Sequence, residues 1–194
     1  KLNIYDYNYK FIELITDNFR KYKYEIYPTK LDIDKVNKFL DIYKDKKKIS
    51  IHIGSSKTNR FLKNKYDLRL WQFEKYVELI DYLLKENFVV FLTGSKNEKT
   101  INEEIIKKLQ IKNDFIVDTA GKFNLQELYY FLANNDLFIS GDVGVAHIAA
   151  AANVKQICLC GATDGSISAP PSRQNYFLIQ KNPIDCPPCY GIDK

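Results

Sequence analysis

The clearest sign of the fold is an apolar run that leads into a helix of small residues, in the stretch Ser140-Gly141-Asp142-Val143-Gly144-Val145-Ala146-His147-Ile148-Ala149-Ala150-Ala151-Ala152. Residues 136–140 predict a buried strand. Gly141 and Gly144 let the backbone come close to a ligand, and the first amides of the helix have no partner within it. The stretch therefore predicts an anion site at the positive end of a helix. Two plainer interpretations stay open, with Asp142 as an ordinary N-cap and His147 as a partly buried, hydrogen-bonded histidine.

Short apolar strands alternate with amphipathic helices from residue 49 onward, which is typical of an α/β fold with a parallel sheet. The predicted strands are 49–53, 88–93, 115–117, 137–140 and 156–160, with a weaker strand at 176–179. Between them we expect helices at 71–86, around Ile101 to Leu109, after a capping box of Asn124 and Glu127, and in the Ala-rich stretch. The predicted architecture is a doubly wound, Rossmann-like sheet of order 3-2-1-4-5.

Strands one and four lie side by side in that order, and ligands bind in the crevice outside their carboxyl ends. The loop after strand one, 54–57, and the loop after strand four, 141–144, are both small, polar and glycine-bearing. The loops at Gly94-Ser95 and 120–122 border the same crevice. Each loop alone is typical of an ordinary turn, but the four together favour a ligand site.

Residues 1–48 differ from the rest because they are rich in Tyr and Lys. They predict helices at 11–22 and 32–43, with a break at Tyr27-Pro28, but no complete second sheet can be built from them. We expect residues 1–48 to be a linker and the tail of a missing N-terminal domain, and residues 49–194 to form the ligand-binding domain.

The composition describes a globular protein without a nucleic-acid partner. The chain has 194 residues, 45% of them hydrophobic, and a net charge of +5. Its lysines are spread along the chain rather than gathered in a basic stripe between stacking aromatics, although peripheral attraction to an anionic membrane face stays open. No run approaches the roughly 20 apolar residues that span a bilayer, and no signal peptide opens the chain, which predicts a cytoplasmic location.

The four cysteines form two pairs of different character. Cys158 and Cys160 alternate within an apolar strand, which predicts that both belong to the core. Cys186 and Cys189 flank a Pro-Pro turn, where such a pair can be half of a zinc or iron site, a redox pair or a loop with free thiols. A complete metal site there needs further ligands from elsewhere, and a reducing cytoplasm disfavours a disulfide.

The residues 142–151 resemble the Asp-(Ser/Thr)-Gly-x-x-His-x-(Ala/Thr)-Ala-Ala motif of the heptosyltransferase-like glycosyltransferases of family nine. Further family-like motifs follow in the family's order: His52-Ile53-Gly54-Ser55-Ser56, Arg69-Leu70-Trp71, Leu92-Thr93-Gly94-Ser95, Ala120-Gly121-Lys122-Phe123-Asn124-Leu125 and Cys160-Gly161-Ala162-Thr163. The resemblance covers about residues 25–190. It implies the C-terminal, donor-binding half of a GT-B enzyme, in which two Rossmann-like domains face each other.

The resemblance implies that the chain binds a nucleotide-diphosphate sugar, ADP-heptose-like, for inverting transfer to a lipopolysaccharide or protein acceptor. The residues implied in donor binding are Ser55, Ser56, Arg69, Gly94, Phe123, Asp142, Val143, Gly144 and His147. Among them Ser55, Ser56 and Arg69 would hold the diphosphate. The amides of Val143 and Gly144 would complete that cradle with His147, and Phe123 would lie near the adenine.

The same resemblance has consequences for catalysis. Val143 stands where the family has a hydroxyl residue, so one side-chain hydrogen bond to the donor is lost. The base on the acceptor hydroxyl is expected in the missing N-terminal domain. No metal is required for transfer, because a guanidinium, a histidine and helix amides can stabilise the leaving diphosphate. Some family members carry a cysteine-bound iron, which Cys186 and Cys189 resemble.

Three other functions fit the residues less well. A nicotinamide-binding domain is disfavoured because residues 54–59 lack the Gly-x-Gly-x-x-Gly pattern. A sugar-nucleotide epimerase of the same architecture would have Asp-Ser-Gly-Gly where this chain has Asp142 to Val145. A non-catalytic nucleotide-binding or scaffold module is the third alternative.

Overall fold

A six-stranded parallel sheet with helices on both faces forms the centre of the computed structural model, which describes residues 4–16, 25–54, 71–161, 164–170 and 176–180. The strands are β1 (Lys48–His52), β2 (Val89–Thr93), β3 (Ile116–Asp118), β4 (Leu137–Gly141), β5 (Gln156–Cys160) and β6 (Tyr176–Gln180). Their order is β3-β2-β1-β4-β5-β6, and every pairing is parallel. The predicted doubly wound order is confirmed, and the weak sixth strand lies beside β5.

Seven α-helices lie within the described residues. They are α1 (Ile4–Glu13), α2 (Lys30–Leu40), α3 (Phe73–Lys85), α4 (Lys99–Lys108), α5 (Leu125–Ala133), α6 (Gly144–Ala151) and α7 (Gly165–Ser168). A 3-10 turn, Asp41–Tyr43, follows α2, and another, Lys96–Glu98, precedes α4. None of the described helices is long and apolar enough to cross a bilayer.

Strand β2 shows why the sheet is covered on both faces. Val90 and Leu92 pack with α3 and α4 on one face, whereas Val89 and Phe91 pack with α2, α5 and α6 on the other. Because successive side chains of a strand point to opposite faces, a strand covered on both sides is apolar throughout. The predicted interior position of Cys158 and Cys160 is also confirmed, since both are buried.

The predicted helix at 11–22 is wrong. The chain is helical from Ile4 to Glu13 and leaves the helix at residues 14–16, while 17–24 lie outside the described residues. The apolar spacing suggested a buried face, but Phe11, Leu14 and Ile15 are exposed among the described residues. Without packing, local pattern alone does not fix the ends of a helix.

Helix α2 begins earlier than predicted and packs on the sheet. A capping box of Thr29 and Asp32 starts it at Lys30. Val36 and Leu40 are buried in the same cluster as β2, so this helix shares the core of the domain. The division of the chain at residues 48 and 49, with the preceding part linking to another domain, stays a prediction.

Candidate functional site

A cleft of about 570 Å³ opens at the carboxyl ends of β1, β2 and β4. Its lining comes from the ends of β1 and β2, the turn after β2, the loop before α5, and the residue before α6 with the first turns of that helix: His52, Thr93, Gly94, Ser95, Asn97, Glu98, Phe123, Asn124, Leu125, Leu128, Val143, Gly144, Val145 and Ile148. His52 pairs with Thr93 of β2 on one side and with Ser140 of β4 on the other, where the direction of winding reverses. The cleft thus occupies the position at which doubly wound sheets bind ligands, and its size suits a small molecule.

The start of α6 forms one wall of the cleft. The helix begins at Gly144, and its N-cap is Val143 in extended conformation without a side-chain cap. The interpretation of Asp142 as the N-cap is therefore wrong. Its carboxylate accepts a hydrogen bond from Ser168 Oγ at 2.6 Å instead. Because the side chain of the N-cap residue Val143 does not cap the first turn, amides at this end can bind an anion.

Gly144 keeps that end of the helix open. A Cβ atom on Gly144 would meet no other atom within 4 Å. Protein packing therefore does not require a glycine at this position. Gly144 lines the cleft, so its open space is available to a ligand that approaches the backbone there.

A second wall consists of three polar side chains, His52, Thr93 and Glu98. His52 is 7% exposed. Its Nδ1 lies 3.3 Å from Thr93 Oγ1, and its Nε2 lies 3.5 Å from Glu98 Oε1. Burial lowers the pKa of His52, and the charge of Glu98 opposes that effect. Glu98 Oε2 accepts a hydrogen bond from the Ser95 amide at 2.7 Å.

The third wall is apolar and includes an aromatic ring. Phe123 stacks on Phe131, with ring centroids 4.7 Å apart, and meets Phe39 edge-on at 5.4 Å. The loop that carries Phe123 turns at Gly121, which has a φ of 68° and donates its amide to the Gly94 carbonyl at 2.8 Å. This contact joins the loops after β2 and β3. The resulting wall suits a flat, apolar ring system.

The predicted donor-binding residues divide into three groups. Gly94, Phe123, Val143 and Gly144 line the cleft. Asp142 and His147 lie beside it on the connection from β4 and the first turn of α6, and the pKa of the half-buried His147 is lowered by burial, against the charge of Asp142. The remaining predicted site residues, metal ligands included, lie outside the described residues: Ser55, Ser56, Arg69, Cys186 and Cys189.

Sequence reasoning missed His52 and Glu98 as site residues. His52 lies near the carboxyl end of the predicted strand 49–53 and opens the family-like motif at 52–56, and these two features were the available signal. Glu98 gave no such signal, because a carboxylate in a turn is usually solvated. Within the described lining, Glu98 is the charged side chain, and no Lys or Arg appears there.

No cluster of potential metal ligands is present among the described residues. Cys158 and Cys160 lie with their sulfur atoms 3.7 Å apart, and this hydrogen bond together with burial raises the pKa of the Cys160 thiol. Such a thiol is a poor ligand and nucleophile. Two aspartates in an Asp-x-Asp pattern can bind a divalent cation. The pair of this kind here, Asp32 and Asp34, lies on α2, where Asp32 forms the capping box with Thr29.

Comparisons with known proteins point to one family. Residues 18–193 match the model of glycosyltransferase family 9 (heptosyltransferase). A lipopolysaccharide heptosyltransferase 1 of Campylobacter coli is 33% identical over 75% of this chain and 38% of its own length. A lipooligosaccharide heptosyltransferase 2 of Haemophilus influenzae is 35% identical over 52% of this chain and 29% of its own length. The chain thus spans less than half the length of these curated relatives.

Solved structures share the fold. A family 9 glycosyl transferase from Veillonella parvula superposes with a TM-score of 0.78 at 16% identity, covering 95% of this chain and 51% of the other. The ADP-heptose lipopolysaccharide heptosyltransferase II of Escherichia coli gives a TM-score of 0.64 at 20% identity, over 80% of this chain and 44% of the other. The iron-containing glycosyltransferase TibC of Escherichia coli gives 0.51 at 16% identity, over 74% and 33%.

Proposed function

Because the chain belongs to glycosyltransferase family 9, we propose that it is the donor-binding half of a heptosyltransferase-like GT-B enzyme. It binds a nucleotide-diphosphate sugar, and an ADP-linked heptose is the donor class favoured by the heptosyltransferase relatives. The observation that carries this proposal is the cleft at the reversal of the sheet, whose lining includes both the open start of α6 and the apolar surface around Phe123.

We assign the parts of the donor from the chemistry of the three walls. The base lies against Phe123, Leu125 and Leu128, which present apolar surface. The diphosphate lies at the amides of Val143 and Gly144, where the helix dipole favours negative charge. Glu98 lines the same cleft, and a carboxylate accepts hydrogen bonds from sugar hydroxyls.

Positive charge for the diphosphate has to come from outside the described lining, because within the described residues the cleft has no Lys or Arg. The family-like motifs of the sequence assign this role to Arg69, with Ser55 and Ser56 as hydroxyl donors, and we retain it as a proposal. His147 at the first turn of α6 completes the phosphate side.

Transfer itself needs a base on the acceptor hydroxyl and stabilisation of the leaving diphosphate. This domain supplies the second through amides and positive charge, without a metal. A further, acceptor-binding domain supplies the base, and the acceptor is a lipopolysaccharide or protein. We place the reaction in the cytoplasm, where the net charge of +5 favours contact with an anionic membrane face. Iron or zinc at Cys186 and Cys189 would have a structural role.

Calorimetry of the 194-residue chain with ADP and with adenosine tests this proposal. ADP is expected to bind at micromolar to millimolar concentration and adenosine more weakly, because adenosine lacks the diphosphate. Gly144→Gln places a side chain at the start of α6 and should abolish ADP binding while the fold survives, since the added Cβ meets no other atom within 4 Å. An unmodified chain that binds no ADP, or a Gly144→Gln variant that binds ADP as tightly as the unmodified chain, would refute the proposal.

A further inference from the structure

The polar wall of the cleft contains a buried histidine that the proposed donor contacts leave without a role. The ring of His52 lies at the end of β1, between Thr93 and Glu98. Both of its nitrogen atoms therefore face a polar partner. Glu98 is the charged group that acts on this ring within the described residues.

The hydrogen-bonding options of Thr93 limit where the proton of His52 lies. Thr93 Oγ1 is 3.3 Å from the Ile51 carbonyl and 3.3 Å from His52 Nδ1, and it has one hydrogen to donate. If that hydrogen goes to Nδ1, the neutral ring carries its own hydrogen on Nε2. If it goes to the Ile51 carbonyl, Nδ1 must donate, and a neutral ring would turn a bare Nε2 toward a carboxylate.

The second arrangement is unfavourable for a neutral ring, because the lone pair of Nε2 would face a lone pair of the Glu98 carboxylate. It is favourable only when the ring is protonated. Burial lowers the pKa of His52 and favours the neutral ring. In both favourable arrangements Nε2 carries a hydrogen that points toward Glu98 Oε1. The separation of 3.5 Å between Nε2 and Oε1 is longer than that of a normal N–H···O hydrogen bond.

Two groups hold the Glu98 carboxylate, and a glycine leaves room for it. The Ser95 amide donates to Oε2 at 2.7 Å. His52 Nε2 faces Oε1, and on that side Gly54 leaves room for the carboxylate, since a Cβ on Gly54 would lie only 2.0 Å from Oε1. The Glu98 side chain is 12% exposed, and it lines the cleft.

We infer that His52 is a positioning residue, whose Nε2–H keeps the Glu98 carboxylate oriented to accept hydrogen bonds from the ribose hydroxyls of the bound nucleotide. This inference rests on the proposed nucleotide site. A carboxylate with fixed oxygens accepts from neighbouring hydroxyls without first losing rotational freedom. Loss of the Nε2–H group should therefore weaken only those ligands that carry the hydroxyls.

Two amide variants separate the two nitrogen atoms of His52. The amide of His52→Gln reaches about as far as Nε2 and can still donate to Glu98. The shorter amide of His52→Asn reaches only the position of Nδ1, so it keeps a partner for Thr93 but not for Glu98. The two variants are matched in polarity, and thermal unfolding of each checks that it folds.

The measurement is the dissociation constant for ADP and for 2′,3′-dideoxy-ADP. The unmodified chain should prefer ADP by about tenfold or more, which is the range for hydrogen bonds to a charged group. His52→Gln should keep most of that preference. His52→Asn should reduce the preference for ADP to less than about threefold, while the affinity for dideoxy-ADP stays unchanged. In a chain that already carries Glu98→Gln, adding His52→Asn should cause no further change in that preference.

Other outcomes overturn the inference in distinguishable ways. If His52→Asn weakens both nucleotides equally, or neither, His52 has no positioning role. If His52→Asn does not fold, His52→Leu in its place must give the same selective loss. An unmodified chain that binds ADP without preferring it over dideoxy-ADP refutes the role of His52 and Glu98 but leaves the nucleotide site, whereas a chain that binds neither refutes the proposed function as well.

Discussion

Individual side chains in the cleft are placed by contacts between distant parts of the chain. His52 meets Glu98 because β1 and β2 are neighbours in the sheet, and nothing near either residue in the sequence indicates that contact. Asp142 precedes a helix, so the local pattern predicts an N-cap, but Ser168 of α7 donates to its carboxylate instead. The sequence could therefore identify the glycine loops around the cleft, but not the polar pair in its wall.

Gly54→Ala is expected to lower the free energy of unfolding by about 1–3 kcal/mol, the range for overpacking a well-filled site. The added Cβ would lie 2.0 Å from Oε1 of Glu98, whose other oxygen holds the Ser95 amide. Gly144→Ala is the matched control, because its Cβ meets no atom within 4 Å and alanine favours a helix by about 0.5–1 kcal/mol. Urea unfolding compares the two variants, and equal changes would contradict the close contact.

The sequence predicted the positions of those helices and strands that pack against other parts of this chain. All five strong strands and the capping box before α5 are confirmed, because apolar strands and cap residues carry their signal within a few residues. Helix α1 was placed wrongly, since apolar side chains at its end are exposed among the described residues and no packing fixes that end. The packing of α2 against α5 was not predicted, because it depends on contacts far apart in sequence.

Helix α2 supports the loop that carries Phe123. Lys35 Nζ lies 2.8 Å from both carboxylate oxygens of Glu127 on α5, whose side chain is 7% exposed, and 3.4 Å from the Lys122 carbonyl. Phe39 of α2 meets the Phe123 ring edge-on. The aromatic wall of the cleft is thus held by two helices rather than by its own loop.

Lys35→Met should therefore destabilise the domain by about 1 kcal/mol, because it leaves the buried Glu127 carboxylate with fewer donors, although solvent screens the half-exposed lysine. Lys38→Met on the same helix is the control and should change stability by no more than about 0.5 kcal/mol, as is usual for a surface residue. Chemical denaturation of both proteins gives the comparison. If Lys35→Met were as stable as the control, the ion pair would not hold α2 in place.

For the molecule as a whole, the reversal of the sheet brings the carboxyl ends of β1, β2 and β4 to one cleft. The family match over residues 18–193 agrees with the fold that the alternating pattern predicted. Local sequence could indicate the parallel sheet and its order, because each strand and helix carries its own apolar pattern within a few residues. The walls of the cleft could not be predicted in full, because they form only when the whole sheet is assembled.

Stability of the folded chain is expected to fall as the pH is lowered from about 7 to about 5. Burial lowers the pKa of His52 and His147, and the neighbouring carboxylates of Glu98 and Asp142 oppose this. The unfolded chain then takes up protons below the ordinary histidine pKa of about 6.5 while the folded chain resists them. The free energy of unfolding should drop by at most about 1.4 kcal/mol per pH unit for each histidine.

Urea unfolding at stepped pH measures this dependence, and His52→Gln should reduce the slope because it removes one of the two titrating groups. A free energy of unfolding that stays level or rises between about pH 7 and about pH 5 would show that neither histidine is buried in its neutral form.

A crystal structure of this chain with ADP tests the donor-site assignment most directly. Diphosphate oxygens should lie within about 3.2 Å of backbone amides at the start of α6, the usual limit for such hydrogen bonds. The base should lie against Phe123 and the ribose hydroxyls should face Glu98. A nucleotide bound outside the cleft, or bound with its phosphates away from α6, would contradict the assignment.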